Sequence, residues 1–320
     1  MILATKAALA HRGPTGLAYQ WVAVGDAGML YTSTSTTASS WTSRTSSFGA
    51  DNIMDVASDG SQFVAVGYSG KLATSSDGIT WTQQTSSFGA TNILSVAWGN
   101  NIWVAVGESG KVATSSDGIT WTQRTSGTGN PLRTIAYGNG LYIFAGESDF
   151  KTASDPTSTW TSRSSTITSL YGRRSVYYDP NIPIWVAGAD TGTSGALASS
   201  TNGTTWTARS SSFSVAFQYA GFSSNSSVLV CGATSSIFPS EWDVQSSTNG
   251  TSYTNRTPAD NAPALQSVTV DDANLIAFIQ GDGNIQTTSD GASYTNRGTI
   301  GGASTFRGIC HSTPLPGSRP

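Results

Sequence analysis

Apolar residues come in short bursts along this chain, and the bursts have the period of strands. Residues 93–98 read ILSVAW and alternate, 102–107 read IWVAVG and are almost continuously apolar and β-rich, and 111–116 read KVATSS and alternate again. Residues 119–125, ITWTQRT, add β-branched and aromatic positions. Separated by Gly99-Asn100, Glu108-Ser109-Gly110 and Asp117-Gly118, these runs predict four short strands in succession. Asp-Gly and Asn-Gly supply the positive φ angles of tight hairpin turns, and they recur at Asp77-Gly78, Asn202-Gly203, Asn249-Gly250 and Asp290-Gly291. No segment combines a long 3.6-residue apolar spacing with helix caps.

The four-strand unit repeats. Residues 63–86 read FVAVGYSGKLATSSDGITWTQQTS and residues 102–126 read IWVAVGESGKVATSSDGITWTQRTS. The aromatic residue after the turn is a landmark found at Trp41, Trp81, Trp121, Trp160, Trp206, Tyr253 and Tyr294, with spacings of 40, 40, 39, 46, 47 and 41 residues. A period in this range decides the architecture. One four-stranded sheet of this size cannot bury both of its faces, so the copies pack face to face, and radial closure protects the inner edges. The expectation is an all-β, seven-bladed β-propeller of four-stranded antiparallel blades. Phe306-Arg307-Gly308-Ile309-Cys310 is expected to supply the inner strand of the blade whose other strands begin near Gly16, so both termini close the ring. That leaves an N-terminal arm over 1–14, the propeller over 15–311 and a Pro-rich tail over 312–320.

The element SSDGITW, with Ser75, Asp77, Gly78, Thr80 and Trp81 and again from Ser115 to Trp121, resembles the Asp-box, or BNR repeat, of sialidase-like propellers. The usual form is Ser-x-Asp-x-Gly-x-Thr-Trp, and here one residue between Asp and Gly is missing. Later copies drift to Asn202, Asn249 and Asp155-Pro156, and the first copy has no Asp. The resemblance spans nearly the whole chain and implies that the boxes are structural turns, on the face away from any catalytic centre. In that role Asp accepts hydrogen bonds inside its turn and Trp packs between blades. Arg44, Arg124, Arg163, Arg209, Arg256 and Arg297, with Gln84 in the second copy, recur three residues after the landmark and read as scaffold.

Composition removes several functions. Among 320 residues, 16 Lys+Arg against 19 Asp+Glu give a net charge of −3, so no basic field attracts nucleic acid. No run of 18 apolar residues supports membrane insertion, and Lys6 interrupts what would be the apolar part of a signal peptide. The abundance of Ser, Thr and Gly suits low complexity, but 10 Trp, 11 Tyr and 11 Phe argue for a packed core. Cys231, Cys310, His11 and His311 show no metal-ligand spacing, and no phosphate-binding loop, GxSxG elbow or HExxH is present, so no cofactor is expected.

Strand direction sorts the loops onto two faces. The start of each inner strand and the hairpin between second and third strands fall on one face, called upper here, and the Asp-Gly turns on the other. Aligning the copies places Met54, Leu94, Arg133, Arg174, Phe217, Gln266 and Arg307 at the upper channel mouth, with Asp26, Tyr68, Glu108 and Glu147 on the hairpins. Arg133, Arg174 and Arg307 near Glu108 and Glu147 look like the arginine triad of sialidases, which binds a carboxylate-bearing sugar. Departures from the repeat also fall on this face: Leu170 to Arg173 with Tyr171, Asp190 to Gly195, and Ala233 to Gln245 with Ile237, Phe238 and Trp242. Large aromatics near Arg suit a protein interface or a sugar-stacking platform.

The expected function is a non-enzymatic structural or adhesive propeller. The SSDGxTWT repeats look like those of phage and bacterial propellers, and the weakly charged, Ser/Thr-rich surface suits a protein that works outside cells. A bacteriophage virion component fits both, made in host cytoplasm, decorating a capsid or associated with a tail, with other virion proteins and a host-surface glycan as partners. The alternatives are a sialidase-like glycoside hydrolase or acidic-glycan lectin, and a bacterial assembly or photosystem-associated propeller.

Overall fold

The computed structural model describes residues 20–146, 149–163, 175–190, 195–210, 217–225, 227–235, 242–256, 265–270, 275–280, 282–300 and 306–311. Its seven antiparallel sheets each contain four strands. Blade 1 joins Phe306–His311 to Trp21–Gly25, Leu30–Ser33 and Thr42–Ser43. Blade 2 runs from Ile53 to Gln84, blade 3 from Ile93 to Arg124, blade 4 from Leu132 to Ser162, blade 5 from Ser175 to Arg209, blade 6 from Phe217 to Asn255 and blade 7 from Leu265 to Thr299. The first strand of each blade packs on the first strand of the next, and Phe306–His311 packs on both Leu265–Val270 and Ile53–Ser58, which closes the circle. The seven-bladed β-propeller and its closure by both ends of the chain are as the repeat predicts. Blade 1 takes its second strand from Trp21, later than the expected start near Gly16; the arm over 1–14 and the tail over 312–320 lie outside the described residues.

Adhesion between blades comes from second strands that are buried on both faces. In IWVAVG, Val104 and Val106 join the cluster shared with blade 4, whereas Trp103 and Ala105 join the cluster shared with blade 2. Blade 2 repeats the division, sending Val64 and Val66 to one neighbour and Phe63 and Ala65 to the other. Because side chains alternate across a strand, one apolar run serves two interfaces. Each fully buried Val contributes about 2 kcal/mol at the usual value of apolar burial.

The turn between third and fourth strands fixes the landmark aromatic in this seam. Asp117 Oδ1 accepts the backbone N–H groups of Ile119 and Thr120, both at 2.8 Å, and the Ser115 hydroxyl at 2.8 Å. Gly118 has φ +73°, and a Cβ there would lie 3.0 Å from Gln62 Nε2 of blade 2. The left-handed φ favours Gly here, and the seam leaves a larger residue only a tight fit. Trp121 Nε1 then donates to the Gly118 carbonyl at 2.9 Å while the indole packs against blade 2. Where the landmark is Tyr253 or Tyr294, the phenol hydroxyl replaces the indole N–H and donates to Gly250 or Gly291 at 3.1 and 3.2 Å. In the copy without Asp, Ala38 takes the Gly position with φ +52°, and Trp41 Nε1 donates to its carbonyl at 2.8 Å.

The recurring arginines are scaffold, as their repetition implies. Arg44, Arg124, Arg163, Arg209, Arg256 and Arg297 each donate Nε to a third-strand hydroxyl, and Gln84 does the same through Nε2 to Thr74. Around the axis a second set of bonds joins neighbouring first strands. Asp55 Oδ2 accepts the Ser95 hydroxyl at 2.8 Å and the Val96 N–H at 2.9 Å, and the Ser95 hydroxyl in turn takes the Ile135 N–H at 3.4 Å.

Asn202 holds Thr204 and Thr205 N–H at 2.9 Å, the same bonds that Asp117 makes, so the turn needs an acceptor more than a charge. Asp117→Asn is therefore expected to change stability at pH 7 by less than about 0.5 kcal/mol, whereas Asp117→Ala costs about 1 kcal/mol, both read from chemical denaturation. Backbone N–H donors at Thr120 and Ile119 hold the Asp117 carboxyl below its ordinary range, and those at Ser293 and Ala292 hold Asp290 at about 2. A lowered folded pKa gives stability that is complete above the unfolded value of about 4 and lost as pH falls toward 2. The Asp117→Asn, Asp290→Asn double variant should lose less stability than the parent across that window.

Candidate functional site

The upper mouth is built from a recurrent bulge. In six blades the second residue of the first strand is skipped in the pairing with the second strand: Met54, Leu94, Arg133, Gln218, Gln266 and Arg307. A bulge re-aims its extra residue. The aligned position in blade 6 is Gln218 and not Phe217, because Phe217 pairs with Ser235 and Tyr219 with Thr234. Met54 and Leu94 are fully buried yet belong to none of the inter-blade clusters, so they face the axis and make that sector apolar.

Of the three arginines expected to converge at the mouth, Arg307 and Arg133 fall among the described residues. Arg307 sits in blade 1 and Arg133 in blade 4, almost opposite one another on a seven-membered ring, with Met54 and Leu94 in the blades between. Arg307 is already engaged, its Nε and Nη2 meeting the two carboxylate oxygens of Asp26, the second at 2.7 Å. This paired fork joins the C-terminal strand to the first hairpin of the same blade, where it serves ring closure. Glu108 accepts from Asn92 Nδ2 at 3.3 Å. Arg133 is half-buried beside the hairpin 108–110, on which its strand packs. Arg174, Glu147, Tyr171 and Phe238 lie outside the described residues. Trp242 opens the third strand of blade 6 and pairs with Thr234, so it belongs to the sheet and not to the loop; its side chain lies outside the description.

Two kinds of residue on this face escape sequence reasoning. Asn92 Oδ1 takes the Ser69 N–H of blade 2 at 3.0 Å while its carbonyl takes the Glu108 N–H of blade 3 at 3.1 Å, and Asn52 joins blades 1 and 2 in the same way. Lys71 and Lys111 donate to the carbonyls of Phe48 and Phe88, both at 2.7 Å, and Lys151 donates to Ser126 and Gly127, which straps each crossover to the following hairpin. The recurrence of Asn before Ile53 and Ile93, and of Lys after Gly70 and Gly110, is the signal that would have found them. No group of three or more His, Cys, Asp or Glu residues able to hold a metal occurs among the described residues.

At the lower end of the channel, Asp179 is fully buried. Its Oδ1 accepts the N–H groups of Asn181 at 2.8 Å and Ile182 at 3.3 Å, beside the bond between the Tyr177 and Ser224 hydroxyls at 2.8 Å. Burial pushes its carboxyl above the ordinary range against those donors. Blade 6 makes the same turn with Asn225, whose Oδ1 takes two N–H groups and whose Nδ2 reaches the Ser289 carbonyl of blade 7 at 2.7 Å.

No family model matches the sequence, and a search of the curated proteins finds no match. Solved structures do match in fold. "YCF48 bound to D1 peptide" superposes with a TM-score of 0.59 at 15% identity, covering 92% of this chain and 86% of that one. The structure of the nidogen/laminin complex gives 0.58 at 10% identity, covering 80% of this chain and 100% of that one. A computationally designed protein, Ika8, gives 0.61 at 12% identity, covering 95% and 89%. At these identities the likeness is one of β-propeller architecture.

Two predictions follow from the site's electrostatics. In a double-mutant cycle, Arg307→Ala and Asp26→Ala should couple by about 1 kcal/mol or more in thermal or chemical unfolding, and the coupling should weaken only partly in 1 M salt because the pair is half-buried. Asp179→Asn should raise the melting temperature at pH 7. A raised folded pKa means the cost is absent below the unfolded value near 4 and grows as pH rises toward the folded one, so the gain should vanish near pH 3.

Proposed function

We propose that this protein is a non-enzymatic binding propeller, a scaffold whose faces dock on other macromolecules. The observation that carries this reading is that, among the described residues of the mouth, Arg307 is bonded to Asp26, Glu108 to Asn92, and the crossover lysines to backbone carbonyls. A sialidase-like hydrolase needs free arginines to bind a carboxylate, together with an acid and a nucleophile, on one side of the mouth. The propellers of similar fold include one bound to a peptide and one in a protein complex, which supports protein partners in general.

The finer reading is a bacteriophage virion component that decorates a capsid or associates with a tail, docking on another virion protein through one face and meeting a host-surface glycan with the other. Its support is the style of the SSDGxTWT repeats and the weakly charged, Ser/Thr-rich composition. Mass spectrometry of purified particles from a lysing culture that encodes the chain should find it in stoichiometric amount. Absence from the particles, together with a stable complex in uninfected cells, overturns the virion reading in favour of a cellular assembly factor. Hydrolysis of a sialoside by the purified protein overturns the non-enzymatic one.

A further inference from the structure

The lower face of the disc differs in charge from the upper. Among the described residues of the turns between first and second strands and between third and fourth strands, none is Lys, Arg or His, and the charges not buried are the half-buried Asp59 and the exposed Asp77, Asp117, Asp155 and Asp290. Four of these five lie in consecutive blades 2, 3 and 4. Lys71, Lys111 and Lys151 are all drawn to the opposite face.

In the same arc stand Ile79 and Ile119, 47% and 51% exposed, the exposed large hydrophobic residues among those described. The turn does not need them. Ile119 contributes a backbone N–H to Asp117 Oδ1 at 2.8 Å, and Thr204 contributes the same bond at 2.9 Å to Asn202 in blade 5. Blades 6 and 7 use Thr251 and Ala292 there. The two isoleucines are held at a fixed separation, because Gln62 of blade 2 donates Nε2 to the Asp117 carbonyl of blade 3 at 2.8 Å. The carboxylates beside them keep their charge in mild acid, since backbone donors hold Asp117 below its usual range.

We propose that the lower face of blades 2 to 4 is a docking surface for a cationic amphipathic segment of a partner protein, its aliphatic side chains seated on Ile79 and Ile119 and its Lys or Arg groups among Asp59, Asp77, Asp117 and Asp155. This rests on the protein-binding reading above and adds a face and a partner chemistry to it. Paired apolar knobs set in a field of one sign, with no opposite charge in the surrounding turns, select a segment that combines both features.

The test is fluorescence anisotropy with two labelled probes of equal length, an alternating Lys-Leu peptide and oligolysine, titrated with the full chain. Ile79→Thr, Ile119→Thr is the informative variant, since Thr occupies that place in blades 5 and 6, and an unchanged melting curve checks the fold. The Lys-Leu peptide should bind the parent saturably, bind the double variant about tenfold more weakly, and weaken further as salt rises. Oligolysine should bind more weakly and ignore the isoleucine change. Equal affinity of the two probes, or of parent and variant for the Lys-Leu peptide, overturns the proposal. Particle association is scored independently: a virion protein cross-linked through the upper loops, with no Lys-Leu binding, sinks this proposal alone, and Lys-Leu binding by a chain absent from particles sinks the virion reading alone.

Discussion

The constraint on which this molecule depends is that each second strand has no solvent side. A strand such as WVAVG or IWVAVG must satisfy two neighbours at once, and it does so by giving Val to one seam and an aromatic with Ala to the other. No blade can then be stable without both flanking blades, and the chain must complete a circle. This explains why the last strand, Phe306–His311, returns to Trp21–Gly25, burying Phe306 and Ile309, and why Arg307 and Asp26 tie the same blade at its upper edge.

The turns then divide labour between the faces. On the lower face, the Ser-Asp-Gly turns convert one side-chain acceptor and one left-handed Gly into a socket for Trp or Tyr. That socket uses only the backbone N–H of the residue after Gly, so its side chain is free to vary: Ile in two blades, Thr or Ala in others. On the upper face, Asn52, Asn92 and the crossover lysines bridge consecutive blades with hydrogen bonds to backbone. Arg307, Glu108 and the crossover lysines, charged residues of the upper face, serve as structural ties, whereas Asp77, Asp117 and Asp155 stand exposed at the other end of the disc.

The pitch of the repeat, the strand number, the turns and the scaffold role of the recurring arginines are legible in the sequence, because each is reported by several copies, and the closing strand follows from the residues left over at the two ends. The repeat misleads where copies diverge. Alignment by the repeat puts Phe217 one residue out because blade 6 has longer strands than its neighbours, Phe217–Ser224 and Leu229–Ser235, and landmark spacing does not say which segment absorbs the extra residues. For the same reason the repeat puts Trp242 in a loop, although the third strand already begins there.

What the chain's residues determined alone is local and periodic: alternation makes strands, Asp-Gly makes the hairpin, and the landmark interval sets seven sheets, since these depend only on neighbours in sequence. What the tertiary structure decided is everything that depends on position around the ring. Arg133 and Arg307 occupy equivalent places in their repeats yet stand almost opposite each other, and Asp179 is buried where Asp59 in the matching turn is not. Equivalence in a repeat is a translation along the chain, but closure turns that translation into a rotation, and only the rotation determines which side chains meet.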